Sequence, residues 1–208
     1  MTAADVWPTE SECPGFKTTM TEFFDLCLTL HSRVLEIMGH GLKLEDPLFF
    51  VKCHANPKNS PMLLRTLLYP SLDDITVKEQ QVRCGEHSDF GGITLLFQQR
   101  PGLQVCKTDG SYIKVPMVEG GILINIGDLM QRWTSDVYPA TKHCMLMDDT
   151  PEERAKSRQS IVFFGYPDNN AMVECVDMSN KYPTISASDY LHLLIKSLRP
   201  LNQSDDER

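Results

Sequence analysis

The chain has 208 residues, of which 41% are hydrophobic and 23% charged, a composition typical of a single globular domain. Its formal net charge of -8 and the scattered positions of Lys and Arg disfavour nucleic acid as a partner. No apolar run approaches the roughly 20 residues of a membrane span, and the N-terminus lacks the pattern of a signal peptide. We therefore expect a cytoplasmic protein that binds neither nucleic acid nor membrane.

The seven cysteines are odd in number and are never spaced as Cys-x-x-Cys. This pattern disfavours a disulfide framework and a zinc ribbon. We interpret the cysteines as reduced thiols, which agrees with a cytoplasmic location.

The N-terminal part of the chain is predicted to be helical. From Phe16 to Met38, apolar residues recur at three- and four-residue steps, the period of one helix face. Gly39 and Gly41 then predict a left-handed end to this helix, because glycine adopts positive φ without steric cost. Residues 45–51 predict a further short helical turn.

Beyond residue 60 the chain changes to short apolar segments separated by turn residues, a pattern typical of a sandwich or barrel of strands. Asp109 and Gly110 predict a tight hairpin, since this pair tolerates the φ values that such turns need. Capping serines and spaced leucines predict a C-terminal helix over residues 186–199. We expect one domain over residues 1–208, with a helical lead-in (1–60), a strand-rich core (61–180) and this closing helix.

Three residues form a candidate metal site. His87 and Asp89 are two apart, and side chains two apart on an extended strand project from the same face. His143 lies much further along the chain, far enough for a second strand to fold back opposite the first. Two imidazoles and one carboxylate leave coordination positions open, which suits iron(II) that activates O2. A structural zinc site would use four protein ligands instead.

Three segments resemble the isopenicillin N synthase-like, iron(II)- and 2-oxoglutarate-dependent dioxygenases. The stretch HSDFGGITLLFQQRPGLQV is similar to the family's iron-binding strand and the hairpin that follows it. NIGDLMQRWTSDVYPATKHCML resembles the segment that leads to the second histidine ligand, and RQSIVFFGYP matches the R-x-S motif. The resemblance runs from about Trp7 to about Leu198 and implies a chain that lacks the family's usual N-terminal region.

The resemblance assigns roles to particular residues. It implies that His87, Asp89 and His143 bind iron(II), and that Arg158 and Ser160 bind a carboxylate of the co-substrate 2-oxoglutarate. A guanidinium and a hydroxyl two residues apart can face the same carboxylate and give charge-assisted hydrogen bonds. The alternative interpretation of this pair is a surface salt bridge.

Two further residues correspond to family positions. Tyr69 matches a tyrosine that hydrogen-bonds the same carboxylate, although Leu67 stands where the family often has asparagine. Phe164 matches a position that commonly contacts the substrate, and an aromatic ring there could stack on a flat or apolar molecule. The alternative for Phe164 is an ordinary core residue.

The resemblance implies a mainly β fold with flanking helices around a double-stranded β-helix, or jelly-roll, core. The charged residues between His143 and Arg158 are then expected to form a surface loop. The implied function is an oxygenase that uses iron(II), 2-oxoglutarate and O2 to hydroxylate or desaturate a small organic substrate. Two alternatives stay open, namely an oxidase of the same family that does not need 2-oxoglutarate, and a catalytically inactive short isoform that acts as a binding protein.

Overall fold

The computed structural model describes residues 7–72, 81–146 and 150–198, and the chain divides into two compact units, Met1–Val51 and Lys52–Arg208. The first unit contains helix α1 (Phe16–Gly41), and helix α2 (Phe49–Cys53) spans the boundary between the units. The structure thus confirms the predicted long helix and the short turn after it. The most buried residues of α1 follow three- and four-residue steps: Cys27, His31, Leu35 and Met38.

The end of α1 differs from the prediction. The helix continues through Gly39 to Gly41, and the left-handed residue that follows is Lys43, with φ 55°. Gly39 is needed for a different reason, because a Cβ at this position would collide with the backbone carbonyl of Pro47. Glycine therefore permits a close backbone approach here instead of providing the turn.

Strands dominate the second unit. They form two four-stranded sheets, with the orders β1-β8-β3-β6 and β2-β7-β4-β5, and the separate pair β9-β10. All of the pairings are antiparallel. The ten strands of the described residues are β1 (Leu63–Tyr69), β2 (Cys84–His87), β3 (Ile93–Gln98), β4 (Leu103–Cys106), β5 (Tyr112–Lys114), β6 (Leu123–Ile126), β7 (His143–Met145), β8 (Arg158–Phe164), β9 (Met172–Val173) and β10 (Ile185–Ser186).

Strands from both sheets share a buried core. Its buried members come from β3, β4, β7 and β8, and complete burial of such a side chain would stabilise the fold by about 1.5–3 kcal/mol. These residues are Leu96, Leu103, Met145 and Val162. The two sheets are therefore held together by apolar contacts on their inner faces. The predicted hairpin is confirmed, since β4 pairs with β5 across the turn that contains Gly110 at φ 81°.

The described part of the second unit also contains three α-helices, α3 (Asp128–Trp133), α4 (Pro151–Arg154) and α5 (Ala187–Ser197). The predicted C-terminal helix is confirmed as α5, whose N-cap Ser186 accepts a hydrogen bond from the Asp189 amide at 3.1 Å. Position 199 lies outside the described residues.

The expected loop between His143 and Arg158 contains α4. The Thr150 hydroxyl accepts a hydrogen bond from the Glu153 amide at 3.2 Å, which caps the start of this helical turn. Residues 147–149 of the same segment lie outside the described part of the chain.

Two further observations concern the chain as a whole. None of the seven cysteines, all of which lie in the described ranges, takes part in a disulfide. Among the helices that the structure describes, none has the length and apolar character needed to cross a membrane.

Candidate metal centre

The two histidines of the predicted site lie opposite each other on neighbouring strands. His87 is the last residue of β2 and His143 the first residue of β7, and the strand register pairs them directly. Their ring centroids are 4.3 Å apart. The antiparallel pairing of β2 with β7 thus unites two residues that are distant in the sequence.

Asp89 reaches the same point from outside the strand. Because β2 ends at His87, the prediction that His87 and Asp89 project from one extended strand is wrong. Asp89 lies in the connection between β2 and β3 and is buried, with 6% of its surface exposed. Its Oδ1 is 4.0 Å from His87 Nε2 and 3.8 Å from His143 Nε2.

The donor set fits a metal ion such as iron(II). One ligand atom from each of the three residues lies within 4.8 Å of the other two. Among the described residues, only these two histidines come within ion-pair distance of the buried Asp89 carboxylate. A buried carboxylate is costly unless its charge is compensated, and a cation bound between the three side chains would provide that compensation.

Backbone carbonyls determine which ring nitrogen of each imidazole donates a hydrogen bond. His87 Nδ1 lies 2.9 Å from the Gly85 carbonyl oxygen, and His143 Nδ1 lies 2.9 Å from that of Thr141. A carbonyl oxygen can only accept a hydrogen bond, so each Nδ1 must carry the proton. In the neutral imidazole the lone pair then belongs to Nε2, the atom that faces Asp89 Oδ1 in both residues.

Two polar side chains orient Asp89. Its Oδ2 accepts hydrogen bonds from the Thr94 hydroxyl at 2.6 Å and from the Asn125 amide at 2.7 Å. Thr94 on β3 lies directly opposite Asn125 on β6 in the strand register. With Oδ2 held in this way, Oδ1 is the oxygen that faces the two histidines.

The segment between β6 and α3 holds the backbone around Asp89. The Asp128 amide donates to the Asp89 carbonyl at 2.7 Å, and the Gly127 amide donates to the Gly92 carbonyl at 2.9 Å. A Cβ on Gly127 would collide with the Gly91 carbonyl. The close approach of these two segments therefore requires glycine at position 127.

A second polar group lies at the start of β8. Arg158 and Ser160 are both buried, with 6% and 2% of their surfaces exposed, and the exposed Gln159 lies between them. The burial of Arg158 argues against the surface salt bridge that was the alternative interpretation. Its Nη1 donates to the Ser160 hydroxyl and its Nη2 to Gln98 Oε1, each at 3.3 Å.

Tyr69 belongs to this same group. The register of β1 with β8 pairs it with Arg158, whose guanidinium carbon lies 5.3 Å from the centre of its ring. Burial is the largest influence on this side chain and raises the pKa of the Tyr69 hydroxyl. The phenol therefore stays protonated near neutral pH and can donate a hydrogen bond.

All seven predicted site residues line one cavity of about 160 Å³. Phe164 also packs against the apolar core, which agrees with the core interpretation, and its contact with substrate stays a prediction. The remaining wall is largely apolar and includes Leu67. The predicted site residues are His87, Asp89, His143, Arg158, Ser160, Tyr69 and Phe164.

Comparison with known proteins agrees with this geometry. The family model described as 2OG-Fe(II) oxygenase superfamily matches residues 58–167, more than half of the chain. The chain belongs to the 2OG-Fe(II) oxygenase superfamily. The matched range contains the three members of the metal cluster and the buried arginine.

Several curated members of the superfamily are similar over most of this chain. The 2-oxoglutarate-Fe(II) type oxidoreductase ppzD of Metarhizium majus is 32% identical over 194 residues, which cover 88% of this chain and 54% of that protein. The 2-oxoglutarate-dependent dioxygenase htyE of Aspergillus rugulosus is 36% identical over 187 residues, covering 84% and 55% respectively. The chain thus spans about half the length of the curated relatives it matches.

A solved structure from Neurospora crassa has a similar backbone. That full-length protein, in complex with alpha-KG and thymine, gives a TM-score of 0.82 at 32% identity. The alignment covers 92% of this chain and 60% of the Neurospora crassa chain.

Sequence reasoning missed the residues that support the ligands. Thr94, Asn125 and Gly127 lie inside segments that resemble the superfamily, but none of them was assigned a role. The only signal is a polar residue within an otherwise apolar strand, in ITLLF and in LINI. Such a residue becomes informative once the register places it beside a buried carboxylate.

Proposed function

We propose that the protein is an iron(II)- and 2-oxoglutarate-dependent oxygenase that hydroxylates or desaturates a small organic molecule. The observation that carries this proposal is the convergence of a two-histidine, one-carboxylate cluster and a buried arginine on the same cavity. Two facing sheets with a shared core support a double-stranded β-helix as the underlying fold. A single domain over residues 1–208 and a cytoplasmic location stay predictions.

In this proposal, His87, Asp89 and His143 hold iron(II). The histidines bind through Nε2, since their Nδ1 protons are engaged by backbone carbonyls. Asp89 binds through Oδ1 while Thr94 and Asn125 hold its other oxygen. Bound iron(II) supplies the activation of O2, and the protein supplies its position and the charge around it.

Arg158 and Ser160 hold the 2-oxoglutarate carboxylate that is not next to its keto group. A guanidinium and a hydroxyl give charge-assisted hydrogen bonds to such a group, and burial strengthens them by excluding water. Tyr69, kept protonated by burial, adds a third donor. The related Neurospora crassa protein was solved in complex with alpha-KG, which supports 2-oxoglutarate as the ligand.

The apolar wall of the cavity also has a function. Leu67, Leu96 and Val162 line the space around the polar groups. They keep bulk water away from the reacting molecules, which limits side reactions. Phe164, which lines the same cavity, is proposed to contact the substrate.

Anaerobic spectroscopy tests this proposal. Addition of iron(II) and then 2-oxoglutarate to the protein should produce a weak visible metal-to-ligand charge-transfer band, and His87→Ala should abolish it. The matched control is His192→Ala, which removes an exposed histidine of α5 and should leave the band unchanged. A band that survives in His87→Ala would show that the ligand assignment is wrong.

Further measurements distinguish the proposed enzyme from its two alternatives, an oxidase that does not need 2-oxoglutarate and a catalytically inactive binding protein. Succinate release that depends on iron(II) and O2 would identify a 2-oxoglutarate-dependent enzyme, whereas substrate oxidation without succinate would identify an oxidase. Failure of a folded, monodisperse sample to bind iron(II) would favour a binding protein.

A further inference from the structure

A second cavity adjoins the candidate metal centre. Its volume is about 690 Å³, and it shares four lining residues with the first cavity. Those shared residues are Arg65, His87, Asp89 and Phe164. The wall of the second cavity also includes the aromatic residues Phe90 and Tyr166. A molecule in this space would lie against the metal ligands without occupying the pocket around Arg158.

Strand β1 connects the two cavities. Its alternate residues Tyr69, Leu67, Arg65 and Leu63 all line one cavity or the other, in that order from the Arg158 end. Tyr69 pairs with Arg158 in the register, and Arg65 lies four residues further along, which is roughly 13 Å of extended strand. Arg65 therefore lies toward the other end of β1 from Arg158, and of these two arginines only Arg65 lines the second cavity.

The cations that line the second cavity differ in how their charge is balanced. Lys142 lines it, but its Nζ is 3.3 Å from Glu86 Oε1 and its charge is balanced by that carboxylate. Asp89, which also lines this cavity, is one of the three candidate metal ligands. Among the described residues, Arg65 forms no ion pair with a carboxylate. The guanidinium of Arg65 is thus the positive group that this cavity offers to a ligand.

We propose that Arg65 selects the substrate by binding its carboxylate, so that the substrate is an organic monocarboxylate with an aromatic or apolar body. A single guanidinium matches a carboxylate through two parallel hydrogen bonds, whereas a phosphate dianion would bring more charge than one arginine balances. Phe164, Phe90 and Tyr166 provide the surface for the apolar body. This assignment of substrate class rests on the proposed oxygenase function.

Matched ligands test the proposal on the whole chain. The probes are benzoate, 3-phenylpropanoate and 4-phenylbutanoate, each compared with its uncharged amide, and thymine serves as a flat neutral comparator. Dissociation constants are measured anaerobically by ligand-observed NMR in the presence of iron(II) and 2-oxoglutarate. At least one acid should bind about tenfold or more tightly than its amide, because a charge-assisted pair is lost in the amide.

Two variants assign that preference to a residue. Arg65→Gln should remove the preference for the acid while the affinity for 2-oxoglutarate stays the same. Arg100→Gln, which removes an equal charge at an exposed position outside both cavities, should retain the preference. Equal binding of acids and amides, tighter binding of thymine than of any acid, or a preference that persists in Arg65→Gln would overturn the proposal. A loss of 2-oxoglutarate affinity in Arg65→Gln would also overturn it, since Arg65 would then serve the co-substrate.

The same measurements without iron(II) separate this proposal from the proposed function. If the chain fails to bind iron(II) or 2-oxoglutarate but still prefers acids through Arg65, the oxygenase function fails while the anion site stands. If the chain binds both and shows no preference for acids, only the substrate class is wrong.

Discussion

Each side chain of the candidate metal centre has a second polar atom that is engaged elsewhere. The two Nδ1 atoms of His87 and His143 bind backbone carbonyls, and Asp89 Oδ2 is held by Thr94 and Asn125. These bonds fix the ligand geometry before any ion arrives. Folding therefore already orders the three side chains, and metal binding does not have to offset that loss of conformational entropy.

Removal of the Thr94 hydroxyl should weaken iron binding without unfolding the protein. Thr94→Val keeps the shape of the side chain but removes the 2.6 Å hydrogen bond to Asp89. Loss of such a supporting group typically lowers metal affinity by about 10–100-fold. The dissociation constant for iron(II) can be measured by competition with a chelator. Thr66→Val, an exposed position on β1, is the matched control, and equal affinities of the two variants would contradict the prediction.

Two cysteines should resist alkylation until the pH is high. Burial raises the pKa of Cys27 to about 11, and burial followed by the charge of Asp168 raises that of Cys53 to about 11. Only the thiolate reacts, so both cysteines should remain unlabelled by iodoacetamide at pH 8 while exposed Cys13 is labelled.

The same raised pKa values make the stability of the folded state depend on pH. In the unfolded chain the two thiols ionise near their ordinary pKa of about 8.5. Burial of the protonated thiols therefore contributes to the stability of the folded state below that pH, and this contribution is lost as the pH rises toward 11. Mass spectrometry of labelled peptides against pH, with and without denaturant, checks both statements. Labelling of folded Cys27 at pH 8 as fast as that of Cys13 would contradict them.

The family resemblance predicted the seven cavity residues, with residue type and spacing as further support for the three candidate metal ligands, but it did not predict the residues that hold those ligands in place. Histidine, aspartate and arginine at these positions carry chemistry that few other arrangements use, and the resemblance gave each one a role. The sequence alone gives Thr94 and Asn125 no particular role, and their role becomes clear only because the pairing of β3 with β6 places them beside Asp89. That pairing depends on tertiary structure, which local patterns do not report.

At the scale of elements, the connection between β2 and β3, which carries Asp89, depends on the backbone of the segment between β6 and α3. Gly127→Ala should displace this segment, because its Cβ would meet the carbonyls of Gly91 and Asp89. We expect a loss of stability of about 1–3 kcal/mol, as for other overpacked sites, together with weaker iron(II) binding. Denaturant unfolding and chelator competition measure the two effects.

Gly120→Ala provides the control for general destabilisation. Gly120 has φ 68°, and a Cβ added there would meet no other atom, so alanine should cost about 1–2 kcal/mol through backbone strain alone. Its iron affinity should equal that of the unmodified chain. If Gly127→Ala loses stability but retains full iron affinity, the segment does not position Asp89.

Local signals predicted most elements, and tertiary contacts explain the exceptions. The hairpin of β4 with β5 and the helix α5 follow from turn and capping residues in the sequence. The helix α1 passes beyond its predicted glycine stop, and Gly39 instead permits a close approach to Pro47, a contact that spacing does not reveal. Likewise, β2 ends at His87 where the chain turns toward the glycines after Asp89.

At the scale of the whole molecule, the site lies where two sheets face each other. Strands β1, β3 and β8 belong to one sheet and carry Tyr69 and Arg158, while β2 and β7 of the other sheet carry the histidines. The order of these strands brings together segments that are far apart in the sequence. Only the family resemblance indicated this arrangement of strands in advance. Ligands that bridge the cavity should therefore stabilise the packing of one sheet on the other.

Stepwise ligand addition should raise the unfolding temperature in two increments. A ligand at 100 times its dissociation constant stabilises the folded state by about 2.7 kcal/mol, and each kcal/mol raises Tm by about 2–4 °C for a chain of this size. Fluorescence of the buried Trp133, which lies in the unit Lys52–Arg208, reports the transition under anaerobic conditions. In the proposed function 2-oxoglutarate would bind beside iron(II), so His143→Ala should lose both increments. Arg158→Gln should keep the iron(II) increment and lose most of the second, and loss of both in this variant would show that Arg158 supports the metal centre instead of the co-substrate.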